Sequence, residues 1–234
     1  VKHKEQLLIL IYKVLGKLYV YGCSFSIPFF IEEHESWMQL TANWFDKELV
    51  NRAEIAIDHR ETFHRLQQDA PNFTEDDLVI YQFTAGVRKG YRIGDDDKYY
   101  SSAGLASTLE ETLEVFDKHG GGRDKYPNPD KLLTLIDYIS KWGSDSDFYN
   151  YNCPNNLLSS MVTKYLFLHL DDSFKKYIDE HTVKIFGNLS IKDYNRENKI
   201  GLMHSGRGVD KEDLHPDEKA HKHIHLSILN QYNG

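Results

Sequence analysis

Two short stretches at opposite ends of the chain hold the residue types of an acyl-transfer site. The first is Tyr21-Gly22-Cys23-Ser24-Phe25-Ser26, directly after the β-prone run Lys17-Leu18-Tyr19-Val20-Tyr21. A serine just past the C-terminal end of a parallel strand sits where open α/β sheets place their ligands. Its hydroxyl becomes a useful nucleophile only when a neighbouring base removes its proton. The second stretch is Glu212-Asp213-Leu214-His215-Pro216. A carboxylate two or three residues before a histidine can orient the imidazole and balance its charge. Each stretch alone has a plainer reading. Gly-Cys-Ser also makes an ordinary polar turn, and acidic residues ahead of a helix complement its N-terminus without any catalytic histidine.

The rival chemistry is metal binding. His215, His221, His223 and His225 fall within eleven residues, with His204 further upstream. On a helix, His221 and His225 share one face, a geometry that can hold zinc. No His-Glu-x-x-His motif and no nearby cysteine completes such a site, so a polar helix face is the plainer reading and no cofactor is expected. Asp95-Asp96-Asp97 lacks the later ligands of a calcium loop. Gly120-Gly121-Gly122-Arg123 lacks the Lys-Ser/Thr of a phosphate-binding loop.

Elements must exist to bring the two stretches together. After the run at 17–21, helical spacing of Trp37, Leu40, Trp44 and Phe45 predicts a helix over 35–45. A short strand is expected at 49–51, a polar helix at 61–68 and the strongest strand at 77–83. Strand, helix, strand, helix, strand is the pattern of a parallel sheet covered by helices. Helical spacing recurs at 129–142 and again at 155–170, through Leu157, Leu158, Met161, Tyr165 and Leu168. A further strand is expected over 182–186. The C-terminus reads as a helix opened by Pro216 at its first position and filled by Ala220, Ile224 and Ile228. Trp37, Trp44 and Trp142 all lie on amphipathic patterns and are expected in the core.

The composition sets the remaining bounds. At 234 residues, 40% hydrophobic and 13% aromatic, the chain supports one domain with a sizeable core and argues against disorder. With 28 basic against 36 acidic residues, the net charge of −8 opposes broad nucleic-acid binding. The longest apolar run, Leu7 to Tyr12, is closed by Lys13. It is far short of the ~20 residues of a membrane span and lacks a signal-peptide cleavage pattern. Two cysteines, Cys23 and Cys153, build no disulfide framework, which points to a reducing, cytoplasmic setting.

Together and in this order, the stretches resemble the GDSL-type esterases of the SGNH hydrolase superfamily, in the divergent branch with a Gly-Cys-Ser-Phe nucleophile block. Two further blocks take part. Val50-Asn51-Arg52-Ala53 with Glu61-Thr62-Phe63-His64-Arg65-Leu66 has the rhythm of the second strand and its helix. Asp77-Leu78-Val79-Ile80-Tyr81-Gln82-Phe83-Thr84 followed by Arg88 is similar to the third block. The resemblance touches residues 17–88 and 212–228, and residues 89–211 carry no family motif.

The resemblance implies that Ser24 is the nucleophile and His215 the general base. The triad acid would be Asp213 or Glu212, with Asp213 favoured because relatives of this type often read Asp-x-His-Pro. The oxyanion hole would use the N–H groups of Ser24 and Ala56 and the hydroxyl of Thr84. Two departures stand out: Ala56 replaces a usual glycine, and Thr84 replaces the asparagine of a usual Gly-x-Asn.

The expected fold is a three-layer α/β/α sandwich around a mostly parallel, roughly five-stranded sheet of the SGNH or flavodoxin-like kind. Residues 1–234 would form one domain, with 89–182 as a largely helical insertion or cap. The expected function is hydrolysis of a small-molecule or carbohydrate ester, the carbohydrate O-acyl group being the family's habit. The alternative is a non-catalytic or weakly active binding or structural protein on the same scaffold.

Overall fold

The computed structural model describes residues 16–28, 31–55, 57–84, 90–92, 99–101, 147–161, 164–171, 179–198 and 215–233. Four strands form one parallel sheet: β1 (Lys17–Tyr21), β2 (Glu48–Asn51), β3 (Leu78–Phe83) and β6 (Lys164–His169), in the order β2-β1-β3-β6. Between β3 and β6, Gly90–Arg92 and Tyr99–Ser101 pair antiparallel as β4 and β5. The helices are α1 (Trp37–Trp44), α2 (His59–Asp69), α3 (Asp147–Ser159), α4 (Ile191–Glu197) and α5 (Glu218–Asn233). Among the described residues, no helix is long and apolar enough to cross a membrane.

The central strands β1 and β3 are buried on both faces, as a parallel sheet between helices requires, whereas the edge strand β2 is half-buried at Leu49 and Val50 and exposed at its ends. The two faces differ in chemistry. Leu18, Val20, Leu78, Ile80, Leu166 and Leu168 pack against Trp37, Met38 and Ala42 of α1 and Ala220, Ile224 and Ile228 of α5, with Ile191 and Tyr194 of α4. Tyr19, Tyr21, Val79, Tyr81, Phe83 and Phe167 pack against Leu66 of α2 and Leu158 of α3. One face is aliphatic and the other aromatic. The result is the expected three-layer α/β/α fold.

Side chains fix where each element begins and ends. Asp77 ties the starts of the central strands together, accepting the Lys17 N–H at 2.5 Å and the Thr74 N–H at 2.7 Å. Ser36 caps α1 through the Gln39 N–H, and Asp58 caps α2 through the Glu61 N–H. Helix α1 closes through Asp46, held at φ 52, with Lys47 N–H bonding the Ala42 carbonyl at 2.9 Å. That is a Schellman closure with aspartate in the left-handed position where glycine is usual.

The structure corrects four expectations. The predicted helix over 155–170 is two elements: α3 ends at Ser159, and β6 begins at Lys164. Tyr165-Leu166-Phe167-Leu168 is a short apolar run, and such a run fits a buried strand as well as a helix turn. The sheet has four strands rather than about five among the described residues. At the fifth position, Thr182 makes only an isolated parallel bridge to Phe167 before the chain turns at Phe186 and Gly187. Trp44 is 64% exposed rather than in the core, whereas Trp37 is fully buried. Pro216 lies ahead of α5 instead of opening it: Asp217 takes the capping role, accepting the Ala220 N–H at 2.9 Å.

Strand β6 and the Thr182 bridge fall inside 89–182, so that segment contributes to the central sheet. The predicted helix over 129–142, Trp142, the acidic run at 95–97 and the glycine run at 120–122 lie outside the described residues.

Two buried histidines make stability depend on pH. Burial pushes His169 down to about 4, against a smaller upward pull from Asp179 and Asp171, and pushes His221 down to about 4 as well. Both rings are neutral in the fold at pH 6.5, while the unfolded chain begins to protonate there. The unfolded state binds more protons between about 6.5 and 4, so stability is lost as pH falls through that window. Each ring is worth about 3 kcal/mol over the full span, at ~1.4 kcal/mol per pH unit. Urea unfolding between pH 6.5 and 5 should show this loss, and His169→Gln should flatten its slope by about one proton. An unchanged slope in that variant would contradict the account.

Candidate active site

The site is assembled at the C-terminal edge of the two central strands. Tyr21 of β1 is in register with Tyr81 of β3. Three residues past that pair stand Ser24 on one side and Thr84 on the other. Ser24 sits in a tight turn, with Ser26 N–H bonding the Cys23 carbonyl at 2.9 Å and Ile27 N–H bonding the Ser24 carbonyl at 3.2 Å. His215, just ahead of α5, brings Nε2 to 2.9 Å from Ser24 Oγ. Packing of α5 on α1 closes a gap of 191 residues in sequence.

The ring of Phe25 stacks on that of His215, with centroids 4.3 Å apart and an interplanar angle of 26°. Phe25 is itself buried, so it fixes the imidazole plane from one side. Lys192 of α4 places its ammonium 5.8 Å from the centre of the Phe25 ring and 3.7 Å from an Asp171 carboxylate oxygen.

Gln82 is the least expected participant. It is fully buried in β3 and faces the same side as Leu78 and Ile80. Its Oε1 accepts the Cys23 N–H at 3.2 Å and the Ser26 hydroxyl in a short bond, and its Nε2 lies 3.5 Å from Cys23 Sγ. Gly22 leaves room for this side chain. A Cβ on Gly22 would come within 2.5 Å of Gln82 Oε1 and 2.6 Å of Ser26 Oγ.

Thr84 is fully buried, and its hydroxyl has no hydrogen-bond partner among the described residues. Its backbone is held instead: the His59 ring, at the start of α2, reaches the Thr84 carbonyl through Nε2 at 2.9 Å. The loop after β2 is pinned by Arg52, which forms a two-pronged pair with Asp69 at 2.8 and 2.7 Å. Asp69 also accepts the Tyr21 hydroxyl at 2.8 Å. Burial, reinforced by that carboxylate, pushes the Tyr21 phenol far up, so it remains a neutral donor.

Of the predicted site residues, Ser24 and His215 meet and Thr84 lies at the same sheet edge. Ala56, Glu212 and Asp213 lie outside the described residues, as does His204. The remaining histidines of the metal reading turn to separate partners. His221 Nδ1 accepts the Trp37 N–H at 3.2 Å, His225 Nδ1 lies 3.0 Å from Thr41 Oγ1, and His223 Nδ1 meets the Tyr194 hydroxyl. Among the described residues, no three metal-ligating side chains converge. Sequence reasoning missed the roles of Phe25, His59 and Gln82. Only Gln82 left a signal, as the one amide in an otherwise apolar, fully buried strand.

No protein-family model matches the chain, and no curated protein matches it. Among solved structures, it is similar to a member of the lipolytic protein G-D-S-L family from Veillonella parvula, at 11% identity and a TM-score of 0.39. That match covers 93% of this chain and 98% of the other. It is also similar to a putative lipolytic protein of the G-D-S-L family from Desulfitobacterium hafniense, at 14% identity and a TM-score of 0.38, covering 92% and 99%.

The close approach at Gly22 is testable. Gly22→Ala should lower stability by about 1–3 kcal/mol, the usual range for overpacking a filled site. The added methyl must displace a Gln82 side chain already fixed by its hydrogen bonds. Urea unfolding of this variant at parental stability would contradict the packing described.

Proposed function

We propose that the chain is a serine esterase or acylhydrolase working through an acyl-enzyme. The observation that carries this reading is the 2.9 Å approach of His215 Nε2 to Ser24 Oγ. With the imidazole neutral and its proton on Nδ1, Nε2 accepts the Ser24 proton as Oγ attacks the ester carbonyl carbon. The resulting imidazolium then passes that proton to the leaving alcohol oxygen as the C–O bond breaks. Water, deprotonated by the same nitrogen, then attacks the acyl carbon, the bond from that carbon to Ser24 Oγ breaks, and Nε2 returns the proton to Oγ as the acid leaves. Asp213 or Glu212 is proposed to hold the Nδ1–H and stabilise the imidazolium.

The negative oxygen that develops during attack needs donors aimed at it. We assign these to the N–H groups of Ser24 and Ala56 and to the Thr84 hydroxyl. What supports Thr84 is its burial without a partner among the described residues: a buried hydroxyl left unpaired costs about 1–3 kcal/mol. A substrate oxygen would relieve that cost. One well-placed donor of this kind is worth roughly 3–4 kcal/mol of barrier. The substrate class proposed is a small acyl ester, including O-acyl groups on carbohydrate, and the residues 89–182 are proposed to help cap it.

Labelling with a fluorophosphonate probe tests the reading directly. The parent should be modified at Ser24, and Ser24→Ala should lose p-nitrophenyl acetate turnover by about 10⁴-fold or more without unfolding. His215→Gln should lose it too. EDTA should leave the parent's rate unchanged, and His225→Ala should keep it, since that ring bonds Thr41 rather than the serine. Folded parent that fails to label would favour a binding protein on the same scaffold. Activity abolished by EDTA and restored by zinc would overturn the serine mechanism.

A further inference from the structure

Strand β3 alternates its side chains strictly between the two faces of the sheet. Leu78 and Ile80 fill the aliphatic face, and the alternation puts Gln82 on the same face. An amide at a fully buried position in such a series must find partners for its oxygen and its two N–H bonds. Among the described residues, the partners of the Gln82 oxygen and the one contact of its nitrogen lie in one place, the turn that carries Ser24. Its oxygen takes the backbone N–H just before Ser24 and the hydroxyl two residues after it. Its amide nitrogen faces the Cys23 sulfur. Three contacts thus bracket a single residue, from a strand whose position is fixed by pairing on both sides.

We propose that Gln82 is the positioning residue of this site: its buried amide holds the Cys23–Ser26 turn so that Ser24 Oγ stays within bonding distance of His215. The proposal rests on the esterase reading for its catalytic consequence, but not for its structural one. The contacts of Gln82 among the described residues go to Cys23 and Ser26, not to Ser24 Oγ or the His215 ring. It acts through the turn. Without it, the backbone around Ser24 retains, among the described residues, its own two turn hydrogen bonds and the Glu54 N–H bond to the Gly22 carbonyl. A displacement of the nucleophile by about 1 Å is enough to cost on the order of 10² in rate. The same three contacts explain why position 22 holds no side chain, since a Cβ there would occupy the space of the Gln82 carboxamide.

The test uses the full chain with Cys153→Ser, leaving Cys23 as its only thiol. Gln82→Met keeps the length of the side chain and removes the amide. Gln82→Glu keeps an oxygen where Oε1 stands, and Ser26→Ala removes one contact of the three. Two readouts are followed in protein shown to be folded by near-UV circular dichroism. The first is modification of buried Cys23 by a small aromatic disulfide, which needs no catalysis. In Gln82→Met this rate should rise about tenfold or more, the factor that one or two lost hydrogen bonds correspond to. The second is the rate of fluorophosphonate labelling at Ser24, with kcat and KM for p-nitrophenyl acetate. Labelling and kcat should fall by about 10², KM should stay within about twofold, and Gln82→Glu should recover most of the loss.

Folded Gln82→Met with the parent's Cys23 and Ser24 rates would overturn the proposal. So would a loss that Gln82→Glu fails to restore, which is the signature of a general packing defect. If Gln82→Met does not fold, Ser26→Ala decides: it should raise the Cys23 rate and lower labelling by part of the full effect, and parental rates would refute the role. A parent that never labels at Ser24 would remove the esterase reading, while the Cys23 rates would still judge the positioning role.

Discussion

Everything at the site depends on the side-by-side pairing of β1 and β3. The two strands run parallel, in register from Leu18 opposite Leu78 to Tyr21 opposite Tyr81, with both faces buried. Because the chains leave the sheet at the same level, Ser24 and Thr84 emerge together. The third participant has to be brought from the far end of the sequence. Helix α5 does this by burying Ala220, Ile224 and Ile228 against α1 and the aliphatic face. His215 is placed by hydrophobic packing of the helix that follows it, and then oriented locally by the Phe25 ring. Burial supplies the reach, and stacking supplies the aim.

Around this pair the interior is unusually polar for a region between two apolar layers. Gln82, Asp69, His59 and the Tyr21 hydroxyl are all buried, and each has partners that cross between elements. Each such contact joins a strand end to the loop or helix beside it. An unpaired group in that position costs about 1–3 kcal/mol, so these contacts fix geometry by penalising departures from it. Thr84 is different. Its backbone carbonyl is held by His59, while its hydroxyl has no hydrogen-bond partner among the described residues.

The parts of this fold visible in the sequence were those governed by local periodicity or composition. Leu78 to Phe83 is apolar and β-branched or aromatic in most positions, and it is the fully buried central strand. Ala220, Ile224 and Ile228 recur at helical spacing and face the core. Tyr165 to Leu168 is ambiguous in the sequence because four consecutive apolar residues satisfy either period, and pairing with β3 settles which one applies. The meeting of Ser24 with His215 was legible only through the order of two motifs. Phe25 is legible only as a member of the Gly-Cys-Ser-Phe block, without its stacking role, and His59 not at all, since a histidine at a helix start has no meaning until the fold is closed. Gln82 could have been noticed, because a buried amide interrupting an apolar strand asks for partners.

The division of the sheet into an aliphatic and an aromatic face has a consequence for how the chain finds its structure. Successive residues of β1 alternate between leucine or valine and tyrosine, and β3 presents aliphatic and aromatic side chains in the same alternation along most of its length. A one-residue slip between a strand and its neighbours would exchange the two sets. Tyrosine hydroxyls would then enter the layer against α1 and α5, where leucines now sit, and the layer against α2 and α3 would be left underfilled. A slip by one residue therefore carries a volume error and sets the hydroxyls of Tyr19 and Tyr21 among aliphatic side chains. The two-toned sheet is thus a ruler against odd-numbered slips, because only a register displaced by an even number of residues keeps each side chain on its own face.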